Sequence, residues 1–125
     1  MKKRIIALIS FLCYIICWAQ AADEHYYFKN LSIQDGLSQT TVNAIIQDKK
    51  GFMWFGTTNG LCRYDGYQFK TYRSDYLSPS FFVSNHILLM EKDVEGNLWI
   101  VTTKEFVKFN PVTGRTTPVN IDTYL

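Results

Sequence analysis

The chain has 125 residues, with 13 Lys or Arg against 11 Asp or Glu and a formal charge of +2. Three of the basic residues, Lys2, Lys3 and Arg4, lie in an N-terminal leader, and without it ten basic residues face eleven acidic ones. A near-neutral chain with scattered basic residues lacks the electrostatic footprint of a nucleic-acid binder, so DNA and RNA are not expected as partners of these residues.

Residues 1–21 read as a signal peptide: a basic start, an uncharged apolar run from Ile5 to Trp18, and the small-x-small pattern Ala19-Gln20-Ala21, which predicts cleavage after Ala21. The apolar run is shorter than the roughly 20 residues a membrane-spanning helix needs. Ile16 stands before Cys17 where lipid attachment wants a small residue, so export is favoured over both an anchor and a lipoprotein. Cys13 and Cys17 leave with the leader. Cys62 remains alone, cannot form an intrachain bridge, and falls in a strand pattern where it reads as a small buried apolar residue.

Residues 22–40 form a lead-in, with His25 to Leu31 as a candidate N-terminal strand. From there the chain repeats itself. Gly51-Phe52-Met53-Trp54 aligns with Gly96-Asn97-Leu98-Trp99, an offset of 45 that also pairs Asp48 with Asp93, Thr57 with Thr102, Leu61 with Phe106 and Tyr64 with Phe109. The first unit occupies residues 41–73, a Pro79-containing loop 74–84, the second unit 85–120, and 121–125 begin the next segment.

Within the first unit, Thr41 to Gln47 reads as a strand and Asp48-Lys49-Lys50-Gly51 as a turn, because Asp bonds nearby backbone and Gly supplies positive φ. Phe52 to Thr57 follows as a strand, Asn59-Gly60 as a hairpin, Leu61 to Tyr64 as a strand, Asp65-Gly66 as a second hairpin and Tyr67 to Tyr72 as a fourth strand. The second unit repeats this with Ile87 to Glu91, Asn97 to Thr102, Phe106 to Asn110 and Arg115 to Val119. The predicted fold class is all-β. Four antiparallel strands recurring at about 45 residues are the signature of a β-propeller blade, of which this chain holds about two. Since about three such units are needed for independent stability, the sequence is expected to be part of a longer protein or the product of a truncated gene.

The equivalent positions Trp54 and Trp99 read as packing residues, and Asp48 and Asp93 as turn braces rather than metal ligands, since the spaced oxygen ligands of a calcium loop are missing. His25 and His86 lack partners at zinc spacing, and neither they nor Ser38 and Ser84 form a recognisable catalytic motif. No motif calls for a cofactor. Tyr26, Tyr27, Tyr67, Tyr72, Tyr76, Phe81 and Phe82 are aromatics that a propeller could present to a ligand at its loop-bearing end, without an assignable site.

Leu31-Ser32, Asp35-Gly36-Leu37-Ser38, Val42 to Asp48, Gly51 to Thr57 and Asn59-Gly60-Leu61-Cys62-Arg63-Tyr64-Asp65-Gly66 closely resemble the two-component regulator propeller repeat. The resemblance implies the periplasmic sensor region of a Bacteroidetes-type hybrid histidine kinase responding to a carbohydrate or oligosaccharide. It further implies additional blades, a membrane span and kinase domains downstream, and a homodimeric parent. The repeat positions carrying it are Asp48, Gly51, Trp54, Gly56, Thr57, Asn59, Gly60, Leu61, Tyr64, Asp65 and Gly66, and in the second unit Asp93, Gly96, Trp99 and Thr102. The second unit departs from the pattern with Val101 in place of Gly56 and Glu105 in place of Gly60, so its hairpin around Thr103 to Glu105 is expected to differ. The alternative is a secreted propeller enzyme, such as a polysaccharide lyase, or a stand-alone binding scaffold.

Overall fold

The computed structural model describes residues 1–18, 25–75 and 81–120. Helix α1 spans Lys2–Trp18, and no described helix is long and apolar enough to cross a membrane. The expected cleavage site at Ala19 to Ala21 lies outside the described residues, as do Tyr76, Pro79 and the segment 121–125.

Eight strands follow: β1 Val42–Gln47, β2 Met53–Thr57, β3 Gly60–Tyr64, β4 Phe69–Tyr72, β5 Ile87–Lys92, β6 Leu98–Thr102, β7 Phe106–Asn110 and β8 Arg115–Pro118. They form two antiparallel four-stranded sheets in the orders β1-β2-β3-β4 and β5-β6-β7-β8, one per repeat. Four strands begin a residue or two later than the sequence pattern suggests, and three of them, β2, β4 and β6, do so for one shared reason. Asp48 takes the N–H of Phe52, Asp65 those of Tyr67 and Gln68, and Asp93 that of Asn97, so these donors close turns instead of entering ladders. The repeat extends to an irregularity that composition does not announce. A register shift between Val42 and Ala44 recurs between Ile87 and Leu89.

The sheets stack face to face. Cross-strand partners share a face, so Trp54, Gly56, Leu61 and Tyr72 of the first sheet form one surface. Against it lie Ile87, Met90, Leu98, Ile100, Val107 and Phe109 of the second, making a single apolar core. Trp54 meets Phe109 edge-on at 5.3 Å, and Tyr72 meets Phe109 at 5.2 Å. Asn43 Nδ2 donates to the Ile87 carbonyl at 2.7 Å and Lys92 Nζ to the Gln47 carbonyl at 2.7 Å, tying the two inner strands together. The connection after β4 is pinned by Ser74, whose hydroxyl accepts the N–H groups of Phe81 and Phe82 and so seats Phe82 in the core.

The lead-in covers the opposite face of the first sheet. Leu37 is buried there, Ser38 bonds Thr57 at 2.8 Å and Cys62 at 3.1 Å, and Lys29 Nζ donates to Tyr64 Oη at 2.8 Å. Residues 25–31 form no strand, while Ile33–Asp35 make one 3-10 turn capped reciprocally by Ser32 and Asp35. The Ser32 backbone N–H and hydroxyl both donate to the Asp35 carboxylate and hold it below its usual range.

The β2–β3 hairpin turns through Gly60 at φ 106°, where an added Cβ would stand 2.8 Å from the Tyr72 carbonyl oxygen. Gly66 has a similar φ of 102° with open space around it. Gly60→Ala is therefore expected to lower stability in urea unfolding by about 1–3 kcal/mol, and Gly66→Ala by less, since it adds strain without a clash. The corresponding β6–β7 hairpin differs as its sequence implies, because Glu105 stays outside the positive-φ region. Both turns nonetheless keep the same anchor. Thr57 Oγ1 accepts from Asn59 N and donates to the Gly60 carbonyl, and Thr102 Oγ1 accepts from Lys104 N and donates to the Glu105 carbonyl.

Candidate functional site

The repeat positions converge on two copies of one clasp. In the first sheet, the Asp48 carboxylate accepts the backbone N–H groups of Lys50 (2.8 Å) and Phe52 (3.0 Å) and the indole N–H of Trp54 (2.9 Å). In the second, Asp93 accepts from Asn97 N (2.8 Å), Asn97 Nδ2 (3.0 Å) and Trp99 Nε1 (3.0 Å). Gly51 and Gly96 close the two turns at φ 88° and 94°. Each clasp locks the orientation of a tryptophan from the strand that follows. The aspartates are committed to N–H donors, which is the bracing role the sequence assigns them.

Burial pushes the Asp93 carboxyl upward, but the hydrogen bonds from the Asn97 side chain and backbone and from Trp99 outweigh it, holding the group well below its usual range. A depressed folded-state pKa means the carboxylate contributes stability above the unfolded value of about 3.8, and that contribution is lost as pH falls through and below it. Acid titration of the folded protein is expected to show stability declining below about pH 4, with a smaller decline in Asp93→Asn. An identical acid profile in the variant would contradict the clasp's role.

The two tryptophans differ in what covers them. Trp54 is 0% exposed beneath the second sheet, whereas Trp99 is only half-buried, on a face carrying Leu89 (63% exposed), Val101 and Phe106. By the 45-residue offset that face is the counterpart of the first sheet's Ala44, Trp54, Gly56 and Leu61, which receives the second sheet. Lys108 lies 5.4 Å above the Trp99 ring, and Phe106 packs beside it at 5.4 Å. The second sheet thus presents a docking face of the same construction as the one it occupies on the first.

Other candidates are placed as follows. Tyr26, Tyr27 and Tyr67 are exposed, while Tyr72 and Phe82 belong to the core and Phe81 packs against it. The latter three are structural, because the inter-sheet space needs large apolar groups there. Ser38 is bonded to Thr57 and Cys62, and Ser84 to Thr103 and the His86 N–H, arrangements that hold the loops. Tyr64 donates to the Gly66 carbonyl at 2.7 Å, and Asp65, held below its usual range by the Gln68 and Tyr67 N–H groups, closes the β3–β4 turn.

Sequence reasoning missed a cleft of about 270 Å³ between the sheets at the end bearing the Asp48 and Asp93 turns, with Lys50, Phe52, Arg63, Pro111 and Val112 in its lining. The signal was present in the repeat itself. Lys50 stands where the second unit has Glu95, a reversal of charge at an otherwise matched position.

Residues 36–59 match the family described as two component regulator propeller. A protein named Histidine kinase P4, from Formosa agariphila, is 41% identical over 70 residues, covering 56% of this chain and 5% of that protein. The extracellular domain of the putative one component system BT4673 from B. thetaiotaomicron superposes with a TM-score of 0.61 at 22% identity, over 81% of this chain and 14% of that structure. The extracellular domain of the putative hybrid two component system BT4673 from the same organism gives 0.57 at 22% identity, over 74% and 13%. The chain therefore spans a small share of each relative, and the structural likeness establishes the fold, two blades of a β-propeller.

Proposed function

We propose that this chain, of which residues 36–59 match the two component regulator propeller family, supplies two consecutive blades of an extracytoplasmic sensor propeller in a histidine-kinase signalling protein, exported by residues 1–21. The observation that carries this reading is the docking face at Trp99. It reproduces the surface by which the first blade receives the second, so its natural occupant is a further blade of the same protein. The likeness to Histidine kinase P4 supports a kinase as the output of the parent.

In this reading the blades are a scaffold whose loop-bearing end contributes to recognition of an oligosaccharide, and the parent acts as a homodimer. Ligand binding transmits a signal only by favouring one of two arrangements of that dimer, which requires different affinities for the two. Reading the coding sequence beyond the Leu125 codon tests the architecture. The expected result is more units of about 45 residues with the Asp and Gly-x-x-Trp spacing, then an apolar span of about 20 residues and a kinase. A closed reading frame with no further blade would contradict it.

A further inference from the structure

We propose that the cleft between the blades binds the carboxylate of a small organic acid, with Arg63 and Lys50 meeting the charge and Phe52, Pro111 and Val112 meeting an apolar body. The inference is independent of the sensor reading and of any oligosaccharide.

Arg63 lies on β3 opposite Trp54, so its side chain is turned toward the second blade. Its guanidinium stacks 4.6 Å from the centre of the Phe52 ring, and its Nε is buried without a hydrogen-bond partner. Leaving a buried charged donor unsatisfied is costly, and a built-in counter-ion is the usual remedy. The second blade has that remedy. At the position equivalent to Arg63 stands Lys108, 3.5 Å from Glu95 and 3.6 Å from Asp93 over the Trp99 ring. The residue equivalent to Glu95 in the first blade is Lys50, so the internal acid is replaced by a second cation.

The nearby carboxylates do not satisfy the Arg63 Nε. Asp48 is taken by three N–H donors, and Glu95 by Asn97 Nδ2 and Lys108. Lys49 Nζ donates to the Val94 carbonyl, and Lys49, Lys50 and Arg63 all line the cleft, so cations outnumber the carboxylates of Asp48 and Glu95 there. A guanidinium fork matches a planar carboxylate, and the ammonium adds a point charge. Pro111 and Val112, the latter 77% exposed, supply an apolar wall across from Phe52. An acid with a hydrocarbon or ring body therefore fits better than a bare inorganic anion.

The test follows the Arg63 side-chain Nε–H signal by NMR in isotopically labelled full chain, at fixed ionic strength, during titration with sodium benzoate, sodium acetate or neutral benzamide. The expected result is a saturable shift with benzoate, weaker binding of acetate and no shift with benzamide. Lys50→Glu, which restores the second blade's acid at an exposed turn, is expected to weaken benzoate at least tenfold while leaving the Trp54 indole signal in place. A shift that never saturates, or an unchanged affinity in Lys50→Glu, would overturn the carboxylate site. Acetate binding as tightly as benzoate would overturn the role of the apolar wall.

Discussion

Truncating Trp54 to alanine is expected to lower folding stability by about 3–5 kcal/mol, the range for removing a large aromatic from a closed core. Trp54 is fully buried, touches Tyr72 and Phe109 through its ring, and satisfies one oxygen of Asp48 through its indole N–H. Its loss opens a cavity at the centre of the inter-blade contact and removes one of the aspartate's three donors. Trp99→Ala deletes the same side chain from the same repeat position, yet Trp99 is only partly covered, so a smaller loss is expected from the smaller area removed from water. Urea unfolding of both variants measures the difference. Equal losses would mean that stacking of the blades does not distinguish the two sites.

Gly56→Val is expected to destabilise by about 1–3 kcal/mol through overpacking, although valine is the residue found at the equivalent position 101. A Cβ on Gly56 would lie 2.7 Å from Ile87 Cγ2 and 3.1 Å from Met90 Sδ. Ile87 is fully enclosed and β-branched, so it has little room to yield. Val101 faces no such neighbour, because among the described residues nothing stacks on that side of the second blade as β5 does on the first. The reverse change, Val101→Gly, should therefore cost mainly strand propensity and modest apolar area. A Gly56→Val variant with unchanged urea midpoint would show that the blades approach less closely than 2.7 Å implies.

Much of this fold was legible because each unit announces itself twice. The 45-residue match of Asp48, Gly51 and Trp54 with Asp93, Gly96 and Trp99 marks turn, glycine and core residue together, and the eight strands fall where alternation and hairpin dipeptides place them. Strand starts shifted because the side chains of Asp48, Asp65 and Asp93 capture backbone donors, a competition that propensity alone does not rank. Tyr72 and Phe82 could not be separated from exposed aromatics by sequence, since their burial depends on a neighbouring blade and on the Ser74 anchor of the connection. The cleft was hidden for a related reason. Arg63 and Lys50 are thirteen positions apart, and only the β2–β3 register and the second blade bring them to one lining.

The two sheets are stacked blades, the first covered and the second presenting its matching face. Hydrogen exchange of the indole N–H groups of Trp54 and Trp99 tests this stacking most directly, because both donate to an aspartate at nearly equal distance, 2.9 and 3.0 Å, and differ mainly in cover. Slow exchange is expected at Trp54, limited by opening of the inter-blade contact, and much faster exchange at Trp99. Equal protection of the two indoles, or greater protection at Trp99, would contradict it.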